Sequence, residues 1–433
     1  MHTPIKPISL AAALVFGVFA AQAATAQSNV VTEQRQLGAF KAIELSGPYQ
    51  VVIKAQGTQS VSLSGPKDKL AEVETRVSGD TLIVRPVSRF GFSLSFKRVT
   101  KAERVTVAIT ASMLRSLSMS GSGDVELDQV SGDKFSLSAS GPGDLHGGGT
   151  VRDLSVDSSG SGDVFLDKLT AANVKLSQSG PGDVVLANIS GELAADTSGS
   201  GDLKASGLRA TRVRVNMSGP GDTMLSGSSG ELRTDISGSG DLDACALAVE
   251  AAKAVLSGPG DACISGTIKA FDADVSGSGD VVAHGLQAQK VRIDMSGPGD
   301  VKLDGAVGTF HARLSGSGDL IGPGLNVTVG DVRTSGPGNI RLAKVSESLT
   351  GELSGSGSLT ASMAGKSLAL DLSGPGGARI DGSVETVRAR LVGSGTLDGR
   401  ELSVRTSDVQ VQGRGDALIG SNRFDRKGSH SKQ

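Results

Sequence analysis

A short corner motif returns along most of this chain at a spacing that only a few architectures tolerate. Its first full copy is Ser120-Gly121-Ser122-Gly123-Asp124, and the closing aspartate recurs every 19 or 20 residues. The series runs Asp124, Asp144, Asp163, Asp183, Asp202, Asp222, Asp241, Asp261, Asp280, Asp300 and Asp319. It decays through Asn339, Ser358, Gly377 and Thr396 and returns at Asp416. The third residue alternates between serine and proline, from Ser122 and Pro142 to Pro375, so the duplicated unit is a pair of repeats of about 39 residues. A glycine pair every twenty residues would break any long helix. Self-similarity at this period is the signature of a solenoid, in which each repeat packs only on its neighbours.

The flanks identify the repeat as β. Counting from the aspartate, positions +1 and +3 are apolar, as in Val125 and Leu127, Val164 and Leu166, or Val301 and Leu303. Position +6 is often apolar too (Val130, Leu169, Ile189, Leu208), and so are pairs such as Phe135 and Leu137 upstream of the next corner. Serine, aspartate, lysine and arginine fill most positions between. Strict alternation of this kind marks strands with one buried face. Residue size alternates as well: Ala205, Ala244, Ala283 and Gly322 follow serine-type corners, whereas Leu186, Leu225, Ile264 and Leu303 follow proline-type ones. Stacked coils of alternating bulk interdigitate. This favours one coil per repeat of about 19–20 residues, with a coil of about 39 residues as the alternative. About 16 coils at ~4.8 Å would make a rod of roughly 75 Å. At the corner, glycine is expected to supply positive φ and the serine and aspartate to cap turn N–H groups. Proline is tolerated because a corner need not donate to the ladder.

The termini differ. Lys6, an apolar run from Leu10 to Ala21, and small residues at Ala21-Gln22-Ala23 and Ala24-Thr25-Ala26 read as a signal peptide over residues 1–26, with cleavage favoured after Ala26. The run is short for a membrane span, no cysteine follows it to carry a lipid, and no later stretch could cross a bilayer as a helix. The mature chain is thus expected in the periplasm, at the cell surface or outside the cell. Residues 27–118 contain strand-like segments such as Tyr49 to Lys54 without the corner aspartate, although Ser46-Gly47-Pro48 echoes the corner. They are read as a β-rich N-terminal cap, with a short helix over Lys69 to Val77. A basic cluster of Arg85, Arg89, Lys97, Arg98, Lys101 and Arg104 around Phe90, Phe92 and Phe96 is read as a solvated hairpin, with a binding patch as the alternative. The repeat solenoid occupies 119–420, and residues 421–433 form a polar tail expected to lack structure.

These segments resemble the head GIN domain family, a bacterial family of adhesin-like heads of unknown function. The resemblance rests on Phe40-Lys41-Ala42-Ile43-Glu44, on the strand pair ending at Val84, on Arg104-Val105-Thr106-Val107, and on Leu114 to Asp124 leading into the repeats. It covers residues 37–230 well, and the same repeats continue to 419. It implies an all-β, right-handed parallel β-helix in the envelope of a Gram-negative bacterium, and it supplies no catalytic residues. The repeats run almost to Gln433, so no outer-membrane barrel of the chain's own is expected.

Several constellations bear on chemistry. The eleven-member aspartate column, Asp124 to Asp319, would stack carboxylates about 4.8 Å apart, where neighbouring charges repel by about 1 kcal/mol even in water. Backbone N–H groups could compensate, or calcium could, and calcium is the one cofactor considered. Loss of the carboxylate at Asn339, Ser358, Gly377 and Thr396 favours the structural role. Cys245 and Cys263 fall in successive repeats and could bridge adjacent coils or stay as two free thiols; alone they make no zinc site. A polysaccharide-acting β-helix enzyme is the remote alternative and is disfavoured: the fixed spacing leaves no long loops in residues 119–420, there is no tryptophan and one tyrosine, and His146, His284 and His311 occupy different repeat positions. Arg414-Gly415-Asp416 spells an integrin-type tripeptide but sits at a repeat corner. A formal net charge of −2 gives no footprint for nucleic acid. The sequence thus describes an exported, non-enzymatic rod that meets a cell-surface or envelope protein or glycan, with a periplasmic calcium- or glycan-binding module as the alternative.

Overall fold

The computed structural model describes residues 30–87, 104–425 and 428–431. It is a β-solenoid of about 15 turns. Among the described residues the one helix is Lys67–Leu70. Each coil is a nearly continuous bent strand, such as Val125–Ala139, Leu145–Ser158 or Val164–Gln178, and each pairs in parallel with the next. Val125 stacks on Leu145, Leu145 on Val164 and Val164 on Val184. One coil is therefore one repeat, and the alternative of a coil spanning the repeat pair is excluded.

The paired repeat has a geometric meaning. Between the first two coils the register from Val125↔Leu145 to Leu127↔Gly147 is one residue longer than the register from Val130↔Gly149 onward. The longer coil carries its extra residue at this bulge. The inward positions also change phase there: in the third coil they run Val164, Leu166, then Leu169, Ala171, then Val174, Leu176, Gln178. A strand keeps side chains on one face only with period 2, so each phase change marks a bend. With the Ser-Gly-x-Gly corner these bends make a three-sided coil around one continuous apolar core. The alternation in size is visible in the stack. Ala205 pairs with Leu225, Ile264 with Ala283 and Ala283 with Leu303. A Cβ on Gly147 would lie 2.5 Å from the Leu166 side chain.

The corner glycines owe their identity to close approach, not to positive φ as expected. None of the Ser-Gly-x-Gly glycines from Gly121 on has left-handed φ. A Cβ on Gly160 would sit 2.1 Å from the carbonyl oxygen of Gly141, and one on Gly219 would sit 2.1 Å from that of Gly199. Adjacent corners nest backbone on backbone, with Ser159 and Gly160 N–H donating to Ala139 O and Gly162 N–H to Gly141 O. The exposed residue between the two glycines is where proline alternates with serine. Left-handed backbone appears instead at a second corner, five residues after the aspartate: Gln129, Gly149, Asn188, Gly207, Gly227, Gly266, Gly285 and Gly305.

Antiparallel strands sit at both ends. Ala42–Leu45 and Gln50–Lys54 form an initial coil under Ser116–Met119 and Val125–Ala139, with Gly47 directly beneath Gly121. Beyond it lie Thr81–Pro86 and Thr106–Thr110, themselves paired with antiparallel strands that cover the open edge. The expected helix over 69–77 shrinks to Lys67–Leu70, and Val73–Ser78 is a strand paired with Thr81–Pro86. Pairing against a ready-made edge outweighs the weak local helix preference there. In place of an unstructured tail, Asn422–Asp425 folds back antiparallel on Ala417–Ile419, Phe424 packs against the core, and Gly428–Ser431 adds a further strand. The signal segment lies outside the described residues, as do Arg89, Phe90, Phe92, Phe96, Lys97, Arg98 and Lys101. Arg85 is bound to Glu74 at 2.8 Å and Arg104 is exposed.

Candidate functional site

The aspartate column is a hydrogen-bonded ladder. Each carboxylate accepts, through Oδ1, the backbone N–H of the aspartate one coil on. The distance is 3.4 Å from Asp144 N to Asp124 and 2.7–3.0 Å from Asp163 through Asp319. These N–H groups sit where the corner interrupts the parallel ladder, so the side chain replaces the missing acceptor. The ladder outlasts the carboxylates by one rung: Asn339 N donates to Asp319 Oδ1 at 2.8 Å, and Ser358 N donates to the neutral amide oxygen of Asn339 at 3.0 Å. A carbonyl oxygen is therefore all that the position needs. A single-file column also never brings three carboxylates to one point, whereas calcium takes six to eight oxygens. Arg414-Gly415-Asp416 is likewise part of the stack. A Cβ on Gly415 would meet Gly395 O, and Asp416 pairs with Arg423 at 3.2 Å.

The broad outer face lies on the segment that leads into each corner. Its outward residues form columns one coil apart. One runs Asp274, Asp294, Arg313, Arg333, Glu352, Asp371 and Arg390, and the neighbouring one runs Asp272, Arg292, His311 and Asp331. Charges pair within and between coils. Arg212 bridges Glu192 and Glu231 at 2.6 and 3.2 Å, and Arg233 also reaches Glu231 at 2.6 Å. Hydrogen bonds from Arg233 and then Arg212 hold Glu231 below the usual carboxylate range, and Asn173 and then Arg152 do the same for Asp153. Along the edge of this face runs a groove of 780 Å³ walled by Arg313, Arg333, Glu352, Asp371 and Arg390 and floored by the corner serines Ser296 to Ser373. A smaller one of 240 Å³ lies among Lys290, Arg292, His311 and Asp331. Both are open and edged by charged side chains, with Met295, Leu314 and Leu353 also lining the larger one, and suit an extended partner rather than an enclosed small molecule.

A third cluster escaped the sequence reading. Cys245 and Cys263 lie on adjacent coils, their Cα atoms 5.3 Å apart and their sulfurs joined. His284 comes from the next coil, and the potential ligand atoms of all three lie within 4.8 Å of one another. It is the one such group of three among the described residues. Cys245 and His284 both stand four residues after their corner aspartate, 39 residues apart, so the duplicated unit places them in one column. That spacing was the signal available in the sequence. Ser265, small and turned away to donate to Cys245 O at 2.6 Å, separates them. His284 Nδ1 contacts Asp304 Oδ2, and Gly285 N–H donates to Asp304 Oδ1 at 2.9 Å. Partial burial pushes the Asp304 carboxyl up, but the Gly285 hydrogen bond and His284 outweigh it and leave the group below its ordinary value. His146 instead stacks on Phe165 with ring centroids 4.6 Å apart. His311 lies 3.4 Å from Asp331 on the broad face, so the three histidines do not meet.

The family described as "Putative auto-transporter adhesin, head GIN domain" matches residues 39–207, 174–285, 265–362 and 353–423. The chain belongs to the head GIN domain family. This GIN-domain chain is matched by no curated protein. Among solved structures, a "putative lipid binding protein" from Parabacteroides distasonis is 13% identical, with 82% of this chain and 97% of that one covered and a TM-score of 0.23. A "putative adhesin" from Bacteroides fragilis is 16% identical, with coverage of 70% and 96% and a TM-score of 0.20. A "putative adhesin" from Parabacteroides merdae is 14% identical, with coverage of 69% and 95% and a TM-score of 0.28. Among the described residues no helix is long and apolar enough to cross a membrane.

Proposed function

We propose that this chain is a non-enzymatic, exported rod that presents its broad charged face to a cell-surface or envelope glycan or protein. The supporting observation is that face itself: registered columns of acidic and basic side chains continue coil after coil and edge an open groove. Such a surface binds by many weak, repeated contacts, so affinity grows with the number of coils engaged. Catalysis would need reacting groups converging at one point in a shielded cleft, and the grooves on this face are open and lined by residues in regular columns instead. The adhesin-like family membership agrees with surface contact. The aspartate ladder is assigned a structural role, since its Oδ1 atoms already accept backbone N–H groups. The test is protease treatment of intact cells against cells whose outer membrane has been opened. Cleavage on intact cells is the expected result, and cleavage only after opening would overturn surface adhesion.

A further inference from the structure

The Cys245, Cys263 and His284 cluster has a composition and geometry that neither corner chemistry nor surface presentation requires. The potential ligand atoms of the three residues lie within 4.8 Å of one another, so once the S–S bond is broken two sulfurs and an imidazole nitrogen are near enough to surround one tetrahedral or trigonal ion, where bonds are about 2.3 Å to sulfur and about 2.0 Å to nitrogen. The histidine is held as metal-bound histidines are: its second nitrogen is engaged by a carboxylate that is itself fixed, here by the Gly285 N–H. With Nδ1 committed to Asp304, Nε2 is left to ligate. The cysteines are half-buried and His284 is exposed, on the outer surface of the rod, so an ion can reach them from solvent.

We propose that Cys245, Cys263 and His284 form a site for one thiophilic d10 cation, Zn2+ or Cu+, when the two cysteines are reduced. Oxygen-seeking cations are excluded by the donor set, since thiolates select soft and borderline ions. The site has two exclusive states. In the oxidised state the sulfurs are bonded to each other and have no charge to give a metal. A dithiol breaks the S–S bond by giving two electrons and its two protons and becomes a disulfide, or a phosphine gives the two electrons, water gives the two protons, and the phosphine leaves as its oxide. The ion then forms two bonds to sulfur and one to nitrogen, and the two thiol protons leave to solvent. Three protein ligands leave room for water or an outside donor on a Zn2+ ion. Asp304 is a positioning residue that fixes the imidazole ring.

The test uses the full chain, reduced anaerobically with a phosphine and freed of reductant. It is titrated in separate arms with Co2+, as a spectroscopic stand-in for Zn2+, and with Cu+ against a chromogenic chelator. Expected is one ion per chain in at least one arm, for Co2+ with a thiolate-to-metal charge-transfer band. Cys263→Ser should abolish that band. His284→Ala should weaken binding at least tenfold while still forming the disulfide, and Asp304→Asn should weaken it by about tenfold or more. The oxidised chain should bind neither ion at this site. Because His284 and Asp304 are surface residues, an unchanged circular dichroism spectrum shows that their variants remain folded. Failure of the reduced chain to bind in both arms, or equal affinity of wild type and His284→Ala, would overturn the proposal.

Discussion

If close approach rather than backbone conformation selects glycine at the Ser-Gly-x-Gly corner, Gly219 at that corner and Gly207 at the left-handed corner should respond very differently to asparagine. At Gly219 a Cβ would lie 2.1 Å from Gly199 O, 2.5 Å from Ser198 O and 2.6 Å from Ser198 C, all backbone atoms that cannot swing aside. Relief requires the coils to separate locally by about 1 Å, given normal hydrogen-bond and contact distances. That would break Ser218 N–H to Thr197 O, now 2.9 Å, and the already long Gly221 N–H to Gly199 O, now 3.4 Å. Two lost hydrogen bonds at about 1 kcal/mol each, plus about 1–3 kcal/mol of overpacking, give about 3–5 kcal/mol. The reduced freedom of the unfolded chain offsets only about 0.5–1 kcal/mol of this. Gly219→Asn should be at least as damaging as Gly219→Ala. At Gly207, φ is +63° and the nearest atom to a Cβ is the Asn188 side-chain oxygen at 3.0 Å. Asn188 itself holds the same position one coil earlier with φ of 55°. Gly207→Asn should therefore cost less than about 1 kcal/mol, because asparagine tolerates this region. Gly148→Ala, whose Cβ would make ordinary contacts with Lys168 from 3.4 Å and Asp128 at 3.8 Å, serves as a near-neutral control. Denaturant unfolding followed by circular dichroism, with hydrogen exchange to localise any opening, measures all four. The reasoning is refuted if Gly219→Asn and Gly207→Asn fall within about 0.5 kcal/mol of each other.

Four further outcomes follow from the same structure. Asp222→Ala leaves the Asp241 N–H, now 2.9 Å from the carboxylate, without its acceptor and should cost about 1 kcal/mol, whereas Asp222→Asn should be nearly silent in a melting curve. Thr223 is fully buried with its hydroxyl unpaired, where most coils carry valine or leucine, so Thr223→Val should raise stability by about 1 kcal/mol in urea. Cys245→Ser with Cys263→Ser opens a loop of 18 residues and should lower unfolding free energy by up to about 3 kcal/mol, and the oxidised wild type should lose that margin on reduction. Hydrogen bonding from Arg400 lowers the Asp398 carboxyl to about 2. A depressed carboxylate stabilises above its unfolded value near 4 and loses that contribution as pH falls toward 2. Arg400 is exposed and Asp398 partly so, and screening keeps the effect below about 1 kcal/mol. Arg400→Ala should shrink this part of the acid slope in melting temperatures between pH 5 and 2, leaving the share of the residue-400 backbone N–H.

The repeat period, the alternation and the alternating bulk at Ala205, Leu225, Ala244 and Ile264 together made the solenoid and its inward residues legible before any coordinates. Each is a local pattern that repeats, and a coil meets only its neighbours, so local information nearly suffices. The aspartate column was legible as a column, but not its hydrogen bonds, because an N–H one coil away is a whole repeat distant in sequence. The reason for the corner glycines was misread for the same cause: what crowds Gly219 is Gly199, a neighbour only in the stack. The antiparallel cover over Val73–Ser78 and the folded-back Asn422–Asp425 depended on edges that exist only once the rod is built. The meeting of Cys245, Cys263 and His284 was likewise decided by tertiary structure. Stacking converts separations of 18 and 21 residues into side-chain contact, and no pattern local to one repeat carries that information.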